Sequence, residues 1–166
     1  MLQSRQQLSM FVPVQAAIEL EQVRRVVDPV QSSLIPAHIT LCREDEIREL
    51  SAIRGRLQNL QLPAISLSFS PAEIFYEHGL IMHCIAGEDA FLHLREFVLD
   101  SKDIRVQHPH LTLAHPRNPK APDNSLEVTA SLTTPLQLVF PSIFLIEQSG
   151  NHAWRVLETY AFSDGA

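Results

Sequence analysis

HITL at residues 38–41 returns as HLTL at 110–113, with one aliphatic residue exchanged for another. The two histidines stand 72 positions apart in a chain of 166 residues. If both motifs come from one duplicated unit, the likeness must extend beyond them. A gap-free shift of 72 sets Leu8 on Leu80, Met10 on Met82, Leu20 on Leu92, Val26 on Val98 and Asp28 on Asp100, besides the His, Thr and Leu of the motifs. That makes eight identities over the 34 positions from 8 to 41. Unrelated segments of this composition would share roughly two or three.

The hydrophobic pattern repeats as well. SMFVPV (9–14) and LIMHCIA (80–86) are short apolar runs of strand type. AAIELEQVRRVVD (16–28) and EDAFLHLREFVLD (88–100) carry apolar residues at helical spacing: Ile18, Val23, Val26 and Val27 in one, Phe91, Leu94 and Val98 in the other. Each copy therefore reads strand, helix, strand, with the histidine motif on the second strand.

Further along the copies diverge. EDEIRELSAIRGRLQNL (44–60) reads as an amphipathic helix, whereas its counterpart RNPKAPDNSLEVTASLTTP (117–135) is proline-rich and reads as a loop with at most a short helix. ISLSF (65–69) and LQLVF (136–140) are strand-like counterparts at a shift of 71, and Gly79 and Gly150 are turn candidates at the same shift. WRVLETYAF (154–162) is a closing strand. No low-complexity linker divides the halves. The expected organisation is a single bilobal domain over 1–166, with one repeat at about 8–79, a second at about 80–150 and the closing strand at 154–162.

In a strand, residues two apart share a face. Alternation puts His38, Thr40 and Cys42 on one face and Ile39 and Leu41 on the other. In the second copy it groups His110, Thr112 and Ala114 against Leu111 and Leu113. Such strands suit a polar cleft backed by a core. Two lobes related by a pseudo-twofold would bring two imidazoles and two hydroxyls together. An imidazole has an ordinary pKa near 6.5, so one can take a proton while the other gives one. That suits displacement at phosphorus, with the threonine hydroxyls donating to the non-bridging oxygens.

Other residues fit less directly. On the first strands Met10, Val12 and Val14 form an apolar set, as do Met82, Cys84 and Ala86. Phe11 and His83 fall on the opposite face, toward the cleft, where a base could stack on Phe11. Arg43 and Arg117 follow the motifs and could attract phosphate, but Arg43 alternates away from His38 and reads as a solvated surface residue, while Trp154 and Tyr160 read as packing. His108, His110 and His115 raise a zinc reading. However, no Asp, Glu or Cys cluster in that half completes a ligand set, and the first motif would go unexplained. No metal or other cofactor is expected.

The formal net charge of −6 and pI near 5.7 argue against binding long nucleic acid by neutralising many phosphates, though not against a small phosphate ligand or an RNA end. Apolar residues make up 45% of the chain, enough for a sizeable core. Cys42 and Cys84 are too few for a disulfide scaffold. The N-terminal apolar run is broken by Pro13 and Gln15 and makes a poor signal peptide. A soluble, cytoplasmic monomer with no membrane association is expected.

The paired HITL and HLTL at half-chain spacing resemble the two-histidine phosphoesterase superfamily, which includes 2′–5′ RNA ligase-like proteins and cyclic nucleotide phosphodiesterases. The resemblance runs from SMFVPV to WRVLETYAF. It implies an α+β fold of two pseudo-symmetric lobes, with antiparallel sheets lining a central cleft and helices outside. It also implies that His38, Thr40, His110 and Thr112 carry the chemistry; Phe11 and His83, from their place on the first strands, are candidate substrate contacts. The expected activity is metal-independent cleavage, or reversible ligation, of 2′,3′-cyclic phosphates or 2′–5′ phosphodiesters of nucleotides or RNA ends. The alternative is a nucleotide- or RNA-binding module of the same fold with weak turnover.

Overall fold

Strand β1 (Ser4–Phe11) begins earlier than its apolar run and takes in the polar stretch Ser4–Gln7. Pairing with the strand Ser142–Ser149 holds these residues of low strand propensity in place, while Leu8–Phe11 pair with the first motif strand. Helix α1 (Ile18–Val27) buries Leu20, Val23, Arg24 and Val27, one face at helical spacing, with acids in its first turn and arginines in its last. Asp28 then caps a further short helix, α2 (Pro29–Leu34), by accepting from the Gln31 amide. The motif strand β2 (His38–Cys42) follows.

Helix α3 (Leu50–Gln58) is shorter than the 44–60 pattern predicts. The Glu46 carboxylate accepts from the Arg43 amide and from the buried Arg95, so residues 43–46 turn before the helix begins. Strands β3 (Ile65–Phe69), β4 (Glu73–Phe75) and β5 (Gly79–Ala86) lead to helix α4 (Glu88–Leu99) and the second motif strand, β6 (His110–Ala114). The proline-rich stretch contains only a 3₁₀ turn, Leu126–Ser131, before β7 (Leu136–Phe140), β8 (Ser142–Ser149) and β9 (Arg155–Ala161). These elements come from a computed structural model that describes residues 1–164.

The strands make two antiparallel sheets. One has the order β2-β1-β8-β9; in the other, β6 lies on one side of β5, β4 and β3 share the other side, and β7 pairs β3. Each sheet thus takes strands from both halves of the chain. The counterparts β3 and β7 do not sit in different sheets but pair with each other, Ile65 against Phe140.

The pseudo-symmetry is sharpest around the motifs. In the first sheet Phe11 pairs His38, Met10 pairs Ile39, Ser9 pairs Thr40 and Leu8 pairs Cys42. In the second His83 pairs His110, Met82 pairs Leu111, Ile81 pairs Thr112 and Leu80 pairs Ala114. Every pair is offset by 72, and both ladders carry a bulge at the same step, leaving Leu41 and Leu113 unpaired. Ile39, Leu41, Leu111 and Leu113 are all buried in one hydrophobic core with Leu8, Met10, Phe69, Phe91 and Phe140. At about 25 cal/mol per Å² of apolar surface removed from water, this shared core is the main term holding the sheets together.

The expected turn at Gly79 lies earlier, at Tyr76 and Glu77, both with positive φ. Gly79 itself is the buried first residue of β5, where a side chain would meet the Phe75 carbonyl oxygen at 2.5 Å. Gly150 does sit at a turn, with φ 54°. A third glycine sets the entry to α4. Gly87 has φ 94°, and a β-carbon there would collide with the Ser66 carbonyl oxygen. Gly87→Ala is expected to cost about 1–3 kcal/mol, read as a lower urea midpoint. An unchanged midpoint would mean that the β5–α4 junction has room to adjust.

Candidate active site

β2 and β6 come side by side without pairing. Instead, the segment before β6 reaches across: the Gln107 side-chain amide donates to the Thr40 carbonyl at 2.6 Å. Arg95 of α4, wholly buried, donates to the Leu41 carbonyl at 2.5 Å. The polar faces of the two motif strands open onto one cleft of about 520 Å³, whose lining includes His38, Thr40, His110 and Thr112.

The two imidazoles are oriented in the same way. His38 Nδ1 lies 2.8 Å from the Pro36 carbonyl oxygen, and His110 Nδ1 lies 3.0 Å from that of His108. A carbonyl only accepts, so Nδ1 carries the hydrogen in both rings and Nε2 is the nitrogen left for a ligand. Both pKa values fall. Burial lowers His38 to about 4, against the pull of the Pro36 carbonyl, and the charges of Arg24 and His110 lower it further. Burial also lowers His110, opposed by the His108 carbonyl and helped by His83 and Arg43. Near neutral pH the empty cleft therefore presents two uncharged imidazoles.

The bulges correct the face assignment made from alternation. An extra residue at Leu41 switches every later side chain to the opposite face. Cys42 pairs with core residue Leu8, is fully buried and has its thiol pushed up to about 12, chiefly by burial. It does not join His38 and Thr40. Arg43 takes the cleft side that alternation denied it, and its equivalent after the second bulge, His115, lines the same cleft.

Trp154, read from sequence as packing, also lines the cleft, with the Arg5 guanidinium 4.9 Å above its ring. Arg5 and Arg117 are further lining residues. Among the described residues no carboxylate lies within ion-pair distance of Arg5, Arg43 or Arg117, although Glu44 and Asp45 also line the cleft. An acidic chain has thus gathered unpaired cations around one hollow.

Phe11 lies beside His38 in register and packs edge-on to its ring at 6.2 Å, while its other close aromatic neighbour, Phe144, is at 4.8 Å. His83 lies beside His110 in register, is exposed, and has Glu73 3.8 Å away. Both share the sheet face of the motif histidine, yet neither is part of the cleft lining itself. His108 points to Glu88. Among the described residues no three His, Cys, Asp or Glu side chains converge as metal ligands.

Residues 12–152 match the family model of the 2′-5′ RNA ligase superfamily, across both motifs. The chain belongs to the 2′-5′ RNA ligase superfamily. No curated protein matches it in sequence. Among solved structures it is similar to E. coli LigT complexed with phosphate, at 14% identity over 98% of this chain and 99% of that one, with a TM-score of 0.64. LigT complexed with 3′-AMP matches at 12% identity over 96% and 98%, with a TM-score of 0.59. A structure described as a phosphoesterase matches at 13% identity over 96% and 98%, with a TM-score of 0.62. At these identities the likeness establishes the superfamily's fold, and the chemistry rests on the residues of this chain. No helix among the described residues is long and apolar enough to cross a membrane.

Proposed function

We propose that the cleft hydrolyses 2′,3′-cyclic phosphates or 2′–5′ phosphodiesters of nucleotides or RNA ends by general acid–base catalysis. The observation that carries this reading is the matched pair of histidines, in identical registers on adjacent strands, each with Nδ1 engaged by a backbone carbonyl. That a LigT structure holds phosphate and another holds 3′-AMP agrees with a phosphate-bearing nucleotide as the ligand. In the cytoplasm, the expected setting, the free thiols of Cys42 and Cys84 stay reduced.

The unequal environments assign the roles. His38, the more strongly depressed, is uncharged with Nε2 unprotonated and serves as the base: its Nε2 takes a proton from water as the water oxygen attacks phosphorus. His110 enters protonated, because the incoming phosphate's negative charge raises its pKa, and it gives that proton to the ribose oxygen as the bond to phosphorus breaks. Thr40 and Thr112 donate to the non-bridging oxygens, and Arg43 adds positive charge nearby. Afterwards His38 is charged and His110 neutral, and exchange with solvent resets the pair. With a ribose hydroxyl in place of water, the same proton transfers would form a bond from that oxygen to phosphorus, break one ester bond of the cyclic phosphate and so ligate the two ends.

The test is the pH dependence of nucleoside 2′,3′-cyclic phosphate hydrolysis. Activity should be lost in acid as His38 gains a proton near pH 4. It should be lost again as His110 gives up its proton, below the ordinary histidine value of 6.5 in the free enzyme. kcat/KM should thus form a bell with its optimum on the acid side of neutral. The alkaline limb of kcat should lie higher, because bound phosphate raises His110. A kcat/KM that keeps climbing through pH 7 would overturn the assignment of base and acid. Binding of nucleotide without turnover on any such ester would leave a binding module of the same fold.

A further inference from the structure

Next to the cleft lies a second hollow of about 780 Å³, and the two share Arg5, Gln31, Glu44 and Arg117 as their common boundary. Beyond that boundary its polar lining is uncharged: Gln3, Asn118, Gln148 and Asn151. The two arginines are held without being neutralised. Arg5 donates from Nε and Nη2 to the Gln148 Oε1 at 3.0 and 2.6 Å, and its guanidinium carbon lies over the Trp154 ring. Gln148 is itself fixed, 4% exposed and donating to the His152 carbonyl. A neutral amide thus aims the guanidinium while leaving its full charge available.

Arg117 sits on the loop after β6. That loop is tied down by the buried Asp28, whose oxygens accept from the His115 amide and the Asn118 side chain. Asp28 is therefore already occupied. Burial and then the Arg5 charge lower Arg117, and burial and then the Arg117 charge lower His115, while the Asp28 carboxylate offsets part of each shift. Glu44, exposed, is the one acid on the shared boundary. Two like charges held together, with His115 left uncharged near neutral pH, are unfavourable alone and are relieved by an anion.

We propose that Arg5 and Arg117 form a second phosphate subsite continuous with the two-histidine cleft, so that the ligand is a nucleotide or RNA end carrying a second phosphate beside the one that reacts. This rests on the cleft holding a phosphate between His38 and His110. The second phosphate belongs either to the 5′ position of the same nucleoside or to the link with the neighbouring one, and the neutral amides then face sugar or base. A nucleoside bearing only the cyclic phosphate leaves this subsite empty.

The test is calorimetric binding of adenosine 2′-monophosphate and adenosine 2′,5′-bisphosphate, with parallel hydrolysis of adenosine 2′,3′-cyclic phosphate, its 5′-phosphorylated form, and a dinucleotide ending in the same cyclic phosphate. Wild type should bind the bisphosphate at least about 10-fold more tightly than the monophosphate, the scale of one good charge-assisted contact. In the Arg5→Gln/Arg117→Gln double variant that gap should close to about 2-fold, while Arg5→Lys keeps part of it. Whichever of the two larger substrates gains in kcat/KM identifies the source of the phosphate. Equal binding of mono- and bisphosphate by wild type, or a gap that survives the double variant, overturns the subsite even if the cyclic phosphate is hydrolysed. A gap that behaves as expected without any hydrolysis keeps the subsite and removes the catalytic reading.

Discussion

His38→Ala and His110→Ala should each lower hydrolysis of a nucleoside 2′,3′-cyclic phosphate by about 10²-fold or more, the usual scale for losing a positioned general acid or base. The loss should appear mainly in kcat, because Thr40, Thr112 and Arg43 remain to hold the phosphate. The double variant should be far less than multiplicatively worse, since two groups that act in one proton relay fail together. The acid limb of the pH profile should disappear in His38→Ala and the alkaline limb in His110→Ala. Both variants should stay folded. Each imidazole is only partly buried, and its one internal hydrogen bond goes to a local carbonyl two residues earlier. Near-wild-type turnover in either single variant would remove the two-histidine mechanism.

Arg95→Ala should cost about 3–5 kcal/mol of stability, the scale for breaking one side of a buried, hydrogen-bonded ion pair. The Arg95 side chain has no exposure and meets the Glu46 carboxylate at 2.7 Å, the Leu41 carbonyl at 2.5 Å and the Arg105 carbonyl at 3.0 Å. Burial pushes the Glu46 carboxyl up, but Arg95's hydrogen bond and the Arg43 amide more than reverse this and leave it lowered. Without Arg95 that carboxylate is desolvated and keeps only the Arg43 amide and the Arg105 guanidinium 4.0 Å away. Replacing Glu46 by Gln in the same chain should therefore recover part of the loss. Urea midpoints of the two variants decide it: a fall of less than about 1 kcal/mol for Arg95→Ala, or no recovery in the double variant, would mean that water replaces the guanidinium without penalty.

The 72-residue spacing made the motif strands, their registers and their common cleft legible, because a repeat in sequence imposes a repeat in pairing. Ile39, Leu41, Leu111 and Leu113 were recognisable as core from alternation alone. What alternation missed lies just past the bulge. An unpaired Leu41 leaves no mark in composition, yet it turns Cys42 inward and Arg43 toward the cleft. His115 could have been found by carrying Arg43's position forward by 72. Trp154 and Arg5 were beyond reach, because they lie near opposite ends of the chain and meet only in the folded structure, where β1 pairs β8 and the Trp154 amide donates to the Leu34 carbonyl. The shortened α3 has a similar origin, since the turn that replaces its first residues depends on Arg95, about 50 positions away.

The equal registers around His38 and His110 also bear on how such a site divides its labour. In a symmetric homodimer of one copy, the two histidines would be the same residue seen twice, with the same neighbours and the same affinity for a proton. Neither could specialise. Joined in one chain, each copy mutates alone: one histidine has Phe11 beside it and Arg24 nearby, the other has His83 and Arg43. Fusion breaks the symmetry while the backbone keeps it, so two imidazoles in matching frames can differ in basicity and work as unlike partners.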